Sequence, residues 1–310
     1  MEYVLQTDAL TKRYRQANVV DEVSMHVKKG SIYGFIGKNG AGKTTFMRMV
    51  AGLAAPTAGG MTLFGSGELE RARRRIGTLI EEPGAYGGMT ARENLEVLRR
   101  SFGITEKKRV EEMLALTGLL DSGRKKVKNF SMGMRQRLGI AIALMRNPDF
   151  LILDEPMNGL DPAGIREMRE LILKLNREKQ ITVLISSHIL DELSRIATHY
   201  GIIRGGRLIE ELGATDLEKR CHRCLKLVVE HPEKAAAALE ELSIQNYDVP
   251  EPGVFRVFER LEDTAGINEA LVRKGVSLKE SYLAGQDLEG YFMELVGKTT
   301  DVRLRQTSLC

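Results

Sequence analysis

Short hydrophobic runs in the first 82 positions are typical of β-strands. Five segments alternate between apolar and polar positions or are rich in β-branched and aromatic residues: YVLQTDALTKRY, VDEVSMHV, SIYGFIG, GMTLFG and IGTLIEE. Two later segments, FLILDEP and ITVLISS, contain unbroken apolar runs, a pattern that favours strands buried on both faces of a parallel sheet. The sequence therefore predicts an α/β core.

A period close to 3.6 residues marks the segments between the strands and predicts helices. TTFMRMVAGL, GIREMRELILKLNRE and ILDELSRIATHY show it, and HYGIIRGGRLIEEL indicates a final hairpin. Residues 84–146 are mostly helical by the same criterion, in TARENLEVLRRSFG, KRVEEMLALTGL and MRQRLGIAIALM. We expect these residues to form a helical insert.

Beyond about residue 215 no motif for chemistry appears, and the pattern predicts a small α+β domain over 216–298. Its segments are CLKLVVE, PEKAAAALEEL, YDV, VFRVF, TAGINEALVRKG and VSLKESYL, with a last helix in DLEGYFMELVG. The order β-α-β-β-α-β is that of a ferredoxin-like sandwich. Residues 299–310 are expected to form a flexible tail.

The charge of the chain is nearly balanced. A net charge of +4 over 310 residues does not favour a nucleic-acid partner. Basic residues are in excess between positions 97 and 137, which is typical of a solvated helical face and would also suit an anionic partner or membrane surface. The N-terminal MEYVLQTDAL lacks a signal pattern, and no apolar stretch approaches the ~20 residues that span a bilayer. We expect no transmembrane segment and any membrane role to require a partner.

Three cysteines do not make a disulfide framework, and the chain is expected to be cytosolic and reduced. Cys221 and Cys224 form an isolated C-x-x-C motif. A zinc or redox site needs more than this pair, so such a site is the less favoured interpretation.

The strongest chemical motif is GKNGAGKTT, which joins a predicted strand to a predicted helix. It fits the phosphate-binding pattern G-x-x-x-x-G-K-[ST] in the required context. Its glycines let backbone N–H groups surround phosphates, and the helix N-terminus adds positive potential. Lys43 is expected to reach the β- and γ-phosphates, and Thr44 to offer a hydroxyl to Mg²⁺. The predicted phosphate-binding residues are Gly37, Lys38, Asn39, Gly40, Ala41, Gly42, Lys43, Thr44 and Thr45.

Two adjacent carboxylates end the strand predicted in FLILDEP. Ligands of open α/β sheets gather at the carboxyl ends of strands, where Asp154 can hold Mg²⁺ directly or through water. Glu155 can act as general base toward a water molecule aimed at the γ-phosphate. Two solvated acids would be the ordinary interpretation of the pair alone, but the phosphate loop upstream favours the catalytic one.

His188 follows the strand predicted over 181–186 and so comes to the same edge of the sheet. A lone histidine is more often structural. At this edge, however, its imidazole can sense the γ-phosphate and orient the attacking water.

The segment FSMGMRQR, residues 130–137, is built like a second phosphate site in a chain that already has one. A second site is explained if Ser131 and the backbone of Gly133 bind the γ-phosphate of a nucleotide that is held by another copy of the protein. The helix is predicted to start near Met134, so that its N-terminus adds positive potential. ATP would then lie in a two-fold or pseudo-two-fold interface.

With these motifs in this order, residues 1 to about 215 resemble the ATP-binding cassette family, the ATPase subunits of ABC transporters. GKNGAGKTT is similar to the Walker A motif of the family, LILDE to Walker B, FSMGMRQR to the signature, and NGLD, which ends at Asp161, to the D-loop. The resemblance places His188 at the switch histidine and Tyr14 at the aromatic position that stacks on adenine. It implies a P-loop NTPase fold, a mixed sheet with a helical insert, that binds and hydrolyses ATP with Mg²⁺.

Two motifs depart from the commonest family pattern. The signature usually reads Ser-Gly-Gly-Gln, whereas this chain has Met132 and Met134 in the second and fourth places; Ser131 and Gly133, which face the phosphate, are kept. In the Q-loop, Glu81 stands where most members have Gln. A carboxylate there can still ligate Mg²⁺, but it adds negative charge beside ATP.

The resemblance also implies partners and a place in the cell. The insert would carry a groove for the coupling helix of a membrane permease subunit, at the cytoplasmic face of the membrane. The cassettes would pair as a homodimer or as a pseudo-symmetric heterodimer. The stretch LIEEPGAYGGMTARENL resembles the branch that exports, or confers resistance to, peptide antibiotics and bacteriocins.

Three functional interpretations remain open from the sequence. The leading one is the energising ATPase subunit of a membrane exporter, whose cargo is expected to be a drug, a peptide antibiotic or a lipid-like molecule. The second, a soluble ATPase acting on ribosomes or DNA, would require two cassettes or a long coiled coil. The third, a regulatory cassette that binds ATP but barely cleaves it, is left open by Glu81 and Met134, whereas Glu155 and His188 argue against it.

Overall fold

The computed structural model describes residues 2–188, 190–220, 224–284 and 291–292, and the chain divides into two compact units, Met1–Ala214 and Thr215–Cys310. The strands of the first unit are β1 (Tyr3–Tyr14), β2 (Ala17–Val23), β3 (His26–Lys28), β4 (Ile32–Ile36), β5 (Ala58–Leu63), β6 (Ile76–Leu79), β7 (Phe150–Asp154), β8 (Thr182–Ser187), β9 (His199–Arg204) and β10 (Arg207–Gly213). Its helices are α1 (Lys43–Ala51), α2 (Leu69–Arg73), α3 (Ala91–Ser101), α4 (Lys108–Leu116), α5 (Met132–Leu144), α6 (Pro162–Lys179) and α7 (Leu190–Ser194). The later elements are α8 (Ala214–Arg220), β11 (Cys224–Val229), α9 (Pro232–Glu241), β12 (Tyr247–Glu251), β13 (Val254–Val257), α10 (Thr264–Arg273) and β14 (Leu278–Ala284).

The core of the first unit is a sheet with the strand order β10-β9-β4-β8-β7-β6. All its pairs are parallel except β9 with β10. Every residue of β4, β7 and β8 is buried, as their unbroken apolar runs predict. Because these three strands are parallel neighbours, their carboxyl ends meet at one edge of the sheet.

A second sheet is antiparallel and is built on the long strand β1, which pairs with β2, β3 and β5. The segment VDEVSMHV, predicted as one strand, is divided here between β2 and β3. The break falls at Ser24 and Met25, which bond to β1 individually: Ser24 Oγ accepts from Ala9 N at 3.0 Å, and Met25 N donates to Thr7 Oγ1 at 2.8 Å. These contacts replace a continuous ladder and redirect the chain.

The predicted helical insert contains α3, α4 and α5. Helix α3 begins with a reciprocal cap, in which Thr90 Oγ1 accepts from Glu93 N and Glu93 Oε2 accepts from Thr90 N. The loop before it is tied to the helix by buried Asn94, whose Oδ1 accepts from Tyr86 N at 2.7 Å and whose Nδ2 donates to Tyr86 O at 3.1 Å. These hydrogen bonds fix the loop at Tyr86 to the amino-terminal part of α3.

Two helix boundaries differ from the predictions. Helix α5 begins at Met132, earlier than the predicted start near Met134, because Ser131 is a good N-cap and its Oγ accepts from Met134 N at 3.3 Å. Gly133 therefore lies in the first turn of the helix. Helix α7 ends at Ser194, whereas ILDELSRIATHY was expected to be helical throughout, because His199 already belongs to β9 and pairs with β4.

The second unit contains an antiparallel sheet with the order β12-β13-β11-β14. Along the chain its elements follow the order β-α-β-β-α-β, and α9 and α10 contribute their apolar faces to the core. The last predicted helix, apart from residues 291–292, and the tail 299–310 lie outside the described residues, as does Cys221. Cys224 is buried and not in a disulfide, and burial raises the pKa of its thiol. No group of three metal-ligating side chains occurs among the described residues.

None of the helices within the described ranges is both long and apolar enough to cross a bilayer.

A cluster of polar side chains links four strands at the amino end of β4. The hydroxyl of fully buried Tyr33 donates to Glu211 Oε1 at 2.7 Å, and the backbone N of His26 donates to the same oxygen at 2.8 Å. The ammonium of Lys28 lies 3.1 Å from His199 Nε2. Burial, and then the charge of Lys28, lower the pKa of His199, although Glu211 acts in the opposite direction. The geometry thus favours the neutral imidazole in the folded protein.

We expect the free energy of unfolding to contain an acid-sensitive part that is due to His199. Its pKa in the folded state lies below the unfolded value of 6.5. As the pH falls through that value, the unfolded chain binds more protons than the folded chain, and stability is lost. Urea unfolding at about pH 7.5 and about pH 5.5 should show a smaller loss for His199→Gln than for the parent. Equal losses would contradict this role.

Candidate functional site

Two glycines shape the loop between β4 and α1, because neighbouring backbone atoms leave no room for a side chain at either position. A Cβ on Gly37 would lie 2.6 Å from Ile203 O. Gly42, the N-cap residue of α1, has φ +107°, and a Cβ on it would lie 2.5 Å from Val19 O. No acidic residue occurs in the first turn of α1, whose leading N–H groups have no acceptor within the helix. The loop therefore offers backbone donors and positive potential to an anion.

Lys43 places a buried ammonium inside this loop. Its side chain is 6% exposed, and Nζ donates to Gly37 O at 2.6 Å and to Lys38 O at 3.3 Å. The same Nζ lies 3.2 Å from Glu155 Oε1. One cation thus bridges the loop and the carboxylate that follows β7. This buried positive charge fits the phosphates of a nucleotide.

The carboxylate of Asp154, at the end of β7, forms hydrogen bonds with residues of α1 and β8. Oδ2 accepts from Thr44 Oγ1 at 2.7 Å, and Oδ1 accepts from Ser186 Oγ at 2.6 Å. Ser186 Oγ also accepts from the backbone N of Glu155 at 2.9 Å. A hydroxyl and a carboxylate in contact are hard oxygen donors of the kind that Mg²⁺ prefers, so Thr44 and Asp154 fit the predicted metal site.

Ser186 was not predicted from the sequence. It lies in β8 directly opposite Asp154 in the parallel register. The signal that could have found it is the SSH segment, in which two hydroxyls precede His188 at the end of an apolar strand.

Glu155 lies just beyond β7 with φ +47°, in the left-handed region that a non-glycine residue rarely adopts. This backbone turns its side chain toward His188, whose Nδ1 is 2.8 Å from Oε2. The other oxygen, Oε1, is buried and makes no hydrogen bond of good geometry with any described residue, although Lys43 Nζ is close. The Glu155 carboxylate thus lies between the imidazole that follows β8 and the ammonium of the phosphate loop.

A second carboxylate, Glu192 on α7, belongs to the same environment and was also missed. Burial raises its pKa, to which the charges of Glu155 and Asp191 add, whereas His188 lowers it. The imidazole of His188 is thus near two acidic groups, Glu155 just after β7 and Glu192 on α7. The sequence signal is an acid four residues after the histidine.

The signature residues form a second group around a pocket of about 410 Å³. Ser131 caps α5, and Asp161 caps α6 by accepting from Gly164 N at 3.1 Å. A Cβ on Gly133 would meet only Leu160 Cδ2, at an ordinary 3.7 Å. The fold of the chain therefore does not itself require glycine at position 133. Residues that line the pocket include Ser131, Gly133, Arg137, Asp161, Gly164 and Glu167; none of the phosphate-loop residues lines it.

Two further predicted residues lie at the surface. The ring of Tyr14, at the end of β1, is 47% exposed, with Lys12 Nζ at 5.0 Å from its centroid. Glu81 was predicted as a Mg²⁺ ligand, but its Oε1 lies 2.5 Å from Arg48 Nη2. Lys38, Asn39 and Gly40 are exposed, Ala41 is buried, and Thr45 is partly buried in the first turn of α1.

Comparison with known sequences gives relatives that share much of this chain. A family model described as ABC transporter matches residues 20–158. The bacitracin transport ATP-binding protein BcrA of Bacillus licheniformis is 42% identical over 304 residues, which cover 97% of this chain and 99% of that protein. The lantibiotic transport ATP-binding protein SrtF of Streptococcus pyogenes is 41% identical over 219 residues, 70% of this chain and 95% of that one.

Comparison with solved structures confirms the predicted fold class. An ATP-binding subunit of an ABC transporter is 28% identical, with a TM-score of 0.61, and the match covers 70% of this chain and 92% of that one. The ATP-binding cassette MJ0796, in a dimeric post-hydrolysis state bound to ADP and phosphate, is 25% identical, with a TM-score of 0.62 and coverage of 68% and 98%.

Removal of the Ser186 hydroxyl should impair turnover without unfolding the protein. Ser186→Ala takes one hydrogen bond from Asp154 and one from the Glu155 backbone, and loss of such a supporting contact typically costs about 10- to 100-fold in activity. Phosphate release measures the effect. Ser31→Ala is the matched control, because it deletes a buried hydroxyl at the amino end of β4. Equal effects of the two substitutions would contradict the role of Ser186.

Proposed function

Because the chain belongs to the ABC transporter family as an ATP-binding and ATP-hydrolysing subunit, we propose that it drives a membrane permease that exports peptide antibiotics. The observation that carries the proposal is the match to the bacitracin transport protein along 97% of the chain, so that both units are included. The lantibiotic transport protein matches over 70% and supports the same class of cargo.

The residues at the carboxyl edge of the sheet fit bound Mg-ATP. The N–H groups of the loop and the ammonium of Lys43 would hold the phosphates, and Thr44 and Asp154 would hold the metal. When bound, Mg²⁺ supplies positive charge to the β- and γ-phosphate oxygens. The exposed ring of Tyr14 is available to stack on adenine.

Glu155 is the proposed general base. His188 Nδ1 lies 2.8 Å from Oε2 and Lys43 Nζ lies 3.2 Å from Oε1. When the phosphates of ATP engage Lys43, the carboxylate would accept the proton of an attacking water. The left-handed backbone at Glu155 and the Ser186 hydroxyl fix the position of the carboxylate. His188 orients the base and, through it, the water. This arrangement favours hydrolysis over a cassette that only binds ATP.

The pocket at Ser131 and Gly133 is proposed to receive the γ-phosphate of a nucleotide held by a second cassette. The space above Gly133 is kept open although the fold of the chain does not need it. Asp161 lies at the same pocket and would contact the second cassette as well. Either a homodimer or a pseudo-symmetric heterodimer would complete two such sites. The paired cassettes would act at the cytoplasmic face of the membrane, bound to the permease.

The transport proposal predicts a growth phenotype. Chromosomal Glu155→Gln in the native host should keep ATP binding within a few-fold, cut turnover about 100-fold or more, and increase sensitivity to bacitracin or a lantibiotic. Glu178→Gln, an exposed acid on α6, is the control. A permease should also co-purify from membranes and be identified by mass spectrometry. Unchanged sensitivity to both classes of peptide, with turnover lost, would reject the cargo but keep the ATPase.

The shared site predicts complementation between two inactive variants. Gly133→Asp should spare ATP binding by the monomer but place a carboxylate against the partner's γ-phosphate, so that dimer closure and turnover fail. Lys43→Ala should bind ATP weakly and be inactive. When the two variants are mixed, one of the two composite sites carries neither substitution, and part of the turnover should return. Loss of ATP binding by monomeric Gly133→Asp would instead place the loop in its own chain's site.

A further inference from the structure

Glu81 and Arg48 form a close ion pair beside the predicted metal site. Glu81 Oε1 and Arg48 Nη2 are 2.5 Å apart, and both side chains are partly exposed, at 58% and 38%. Glu81 has φ +63°, a strained conformation for glutamate. In this structure the ion pair with Arg48 thus occurs together with a left-handed backbone at Glu81.

The position of Arg48 on α1 relates this pair to the metal site. Arg48 follows Thr44 by four residues, so the two side chains share one face of the helix, with Cβ atoms about 5–6 Å apart. Thr44 is the hydroxyl that contacts Asp154. A carboxylate bound to Arg48 is thus about one helical turn from the hydroxyl that would ligate Mg²⁺.

The sheet brings Glu81 to the same edge from the other side. Strand β6 is the parallel neighbour of β7, with Leu79 opposite Leu153. Glu81 follows Leu79 by two residues, as Glu155 follows Leu153. At this edge Glu81 therefore has two candidate partners, the guanidinium of Arg48 and a cation held by Thr44 and Asp154.

We propose that Arg48 is a positioning residue that holds the Glu81 carboxylate away from the metal site until Mg-ATP binds. The inference rests on the proposed binding of Mg-ATP. An exposed ion pair is weak, so a divalent cation can displace the arginine. In the absence of the cation, Arg48 neutralises a carboxylate that would otherwise repel the nucleotide.

The proposal predicts opposite effects of one substitution on two binding measurements. Arg48→Gln frees Glu81, so a fluorescent ATP analogue should bind about two- to five-fold more weakly in EDTA, within the range that an exposed pair allows. Half-saturation of the same complex by Mg²⁺ should occur at about two- to five-fold lower concentration, because the carboxylate is available to the cation. Arg48→Lys keeps the charge and should retain most of the parent behaviour.

The Glu81→Gln background distinguishes this role from a local packing effect. In Glu81→Gln, the further change Arg48→Gln should alter neither measurement, because no carboxylate remains to be held. Arg71→Gln, at an exposed arginine on α2, is the control for the loss of one positive charge. Equal effects of Arg48→Gln with and without Glu81, or no shift in Mg²⁺ half-saturation, would overturn the proposal. Failure of the parent to bind the analogue at all would instead reject the proposed function.

Discussion

The parallel pairing of β4, β8 and β7 is the constraint on which the site depends. These strands come from distant parts of the sequence, and their register places Asp154 opposite Ser186 and Ile36 opposite Ser187. Side chains alternate between the faces of a strand, so a slip of one residue would turn Asp154 away from Thr44. The buried apolar runs that fix the register are therefore as necessary to the chemistry as the polar residues that follow them.

The sequence was most informative where a local pattern determines the structure. Apolar runs predicted the buried strands, and the motif around Lys43 predicted a loop between a strand and a helix. The early start of α5 could have been predicted too, since serine is a strong N-cap. The division between β2 and β3 could not, because it depends on bonds from Ser24 and Met25 to a strand that is adjacent only in the folded chain.

The same distinction applies to the candidate site. The phosphate loop and the acids after β7 belong to continuous motifs, whereas Ser186 acquires its role from the register of two strands. The sequence indicated a metal ligand at Glu81 but gave no sign of Arg48, whose position depends on how α1 packs against β7, the neighbour of β6. Gly133 shows the reverse case, since its motif is recognisable but the fold of one chain gives no reason for its missing side chain. The proposed second cassette would supply that reason.

The left-handed backbone at Glu155 has a consequence for protein engineering. Such a conformation costs of order 1–3 kcal/mol for a residue with a side chain, and glycine would relieve it. Glycine would also remove the proposed general base. Selection for heat resistance alone would thus favour a substitution that costs the proposed activity, whereas selection for turnover would keep the strained acid. Glu81, with φ +63°, is likewise a left-handed residue with a proposed functional carboxylate. Mutant libraries designed to raise thermal stability should therefore leave Glu81 and Glu155 unchanged.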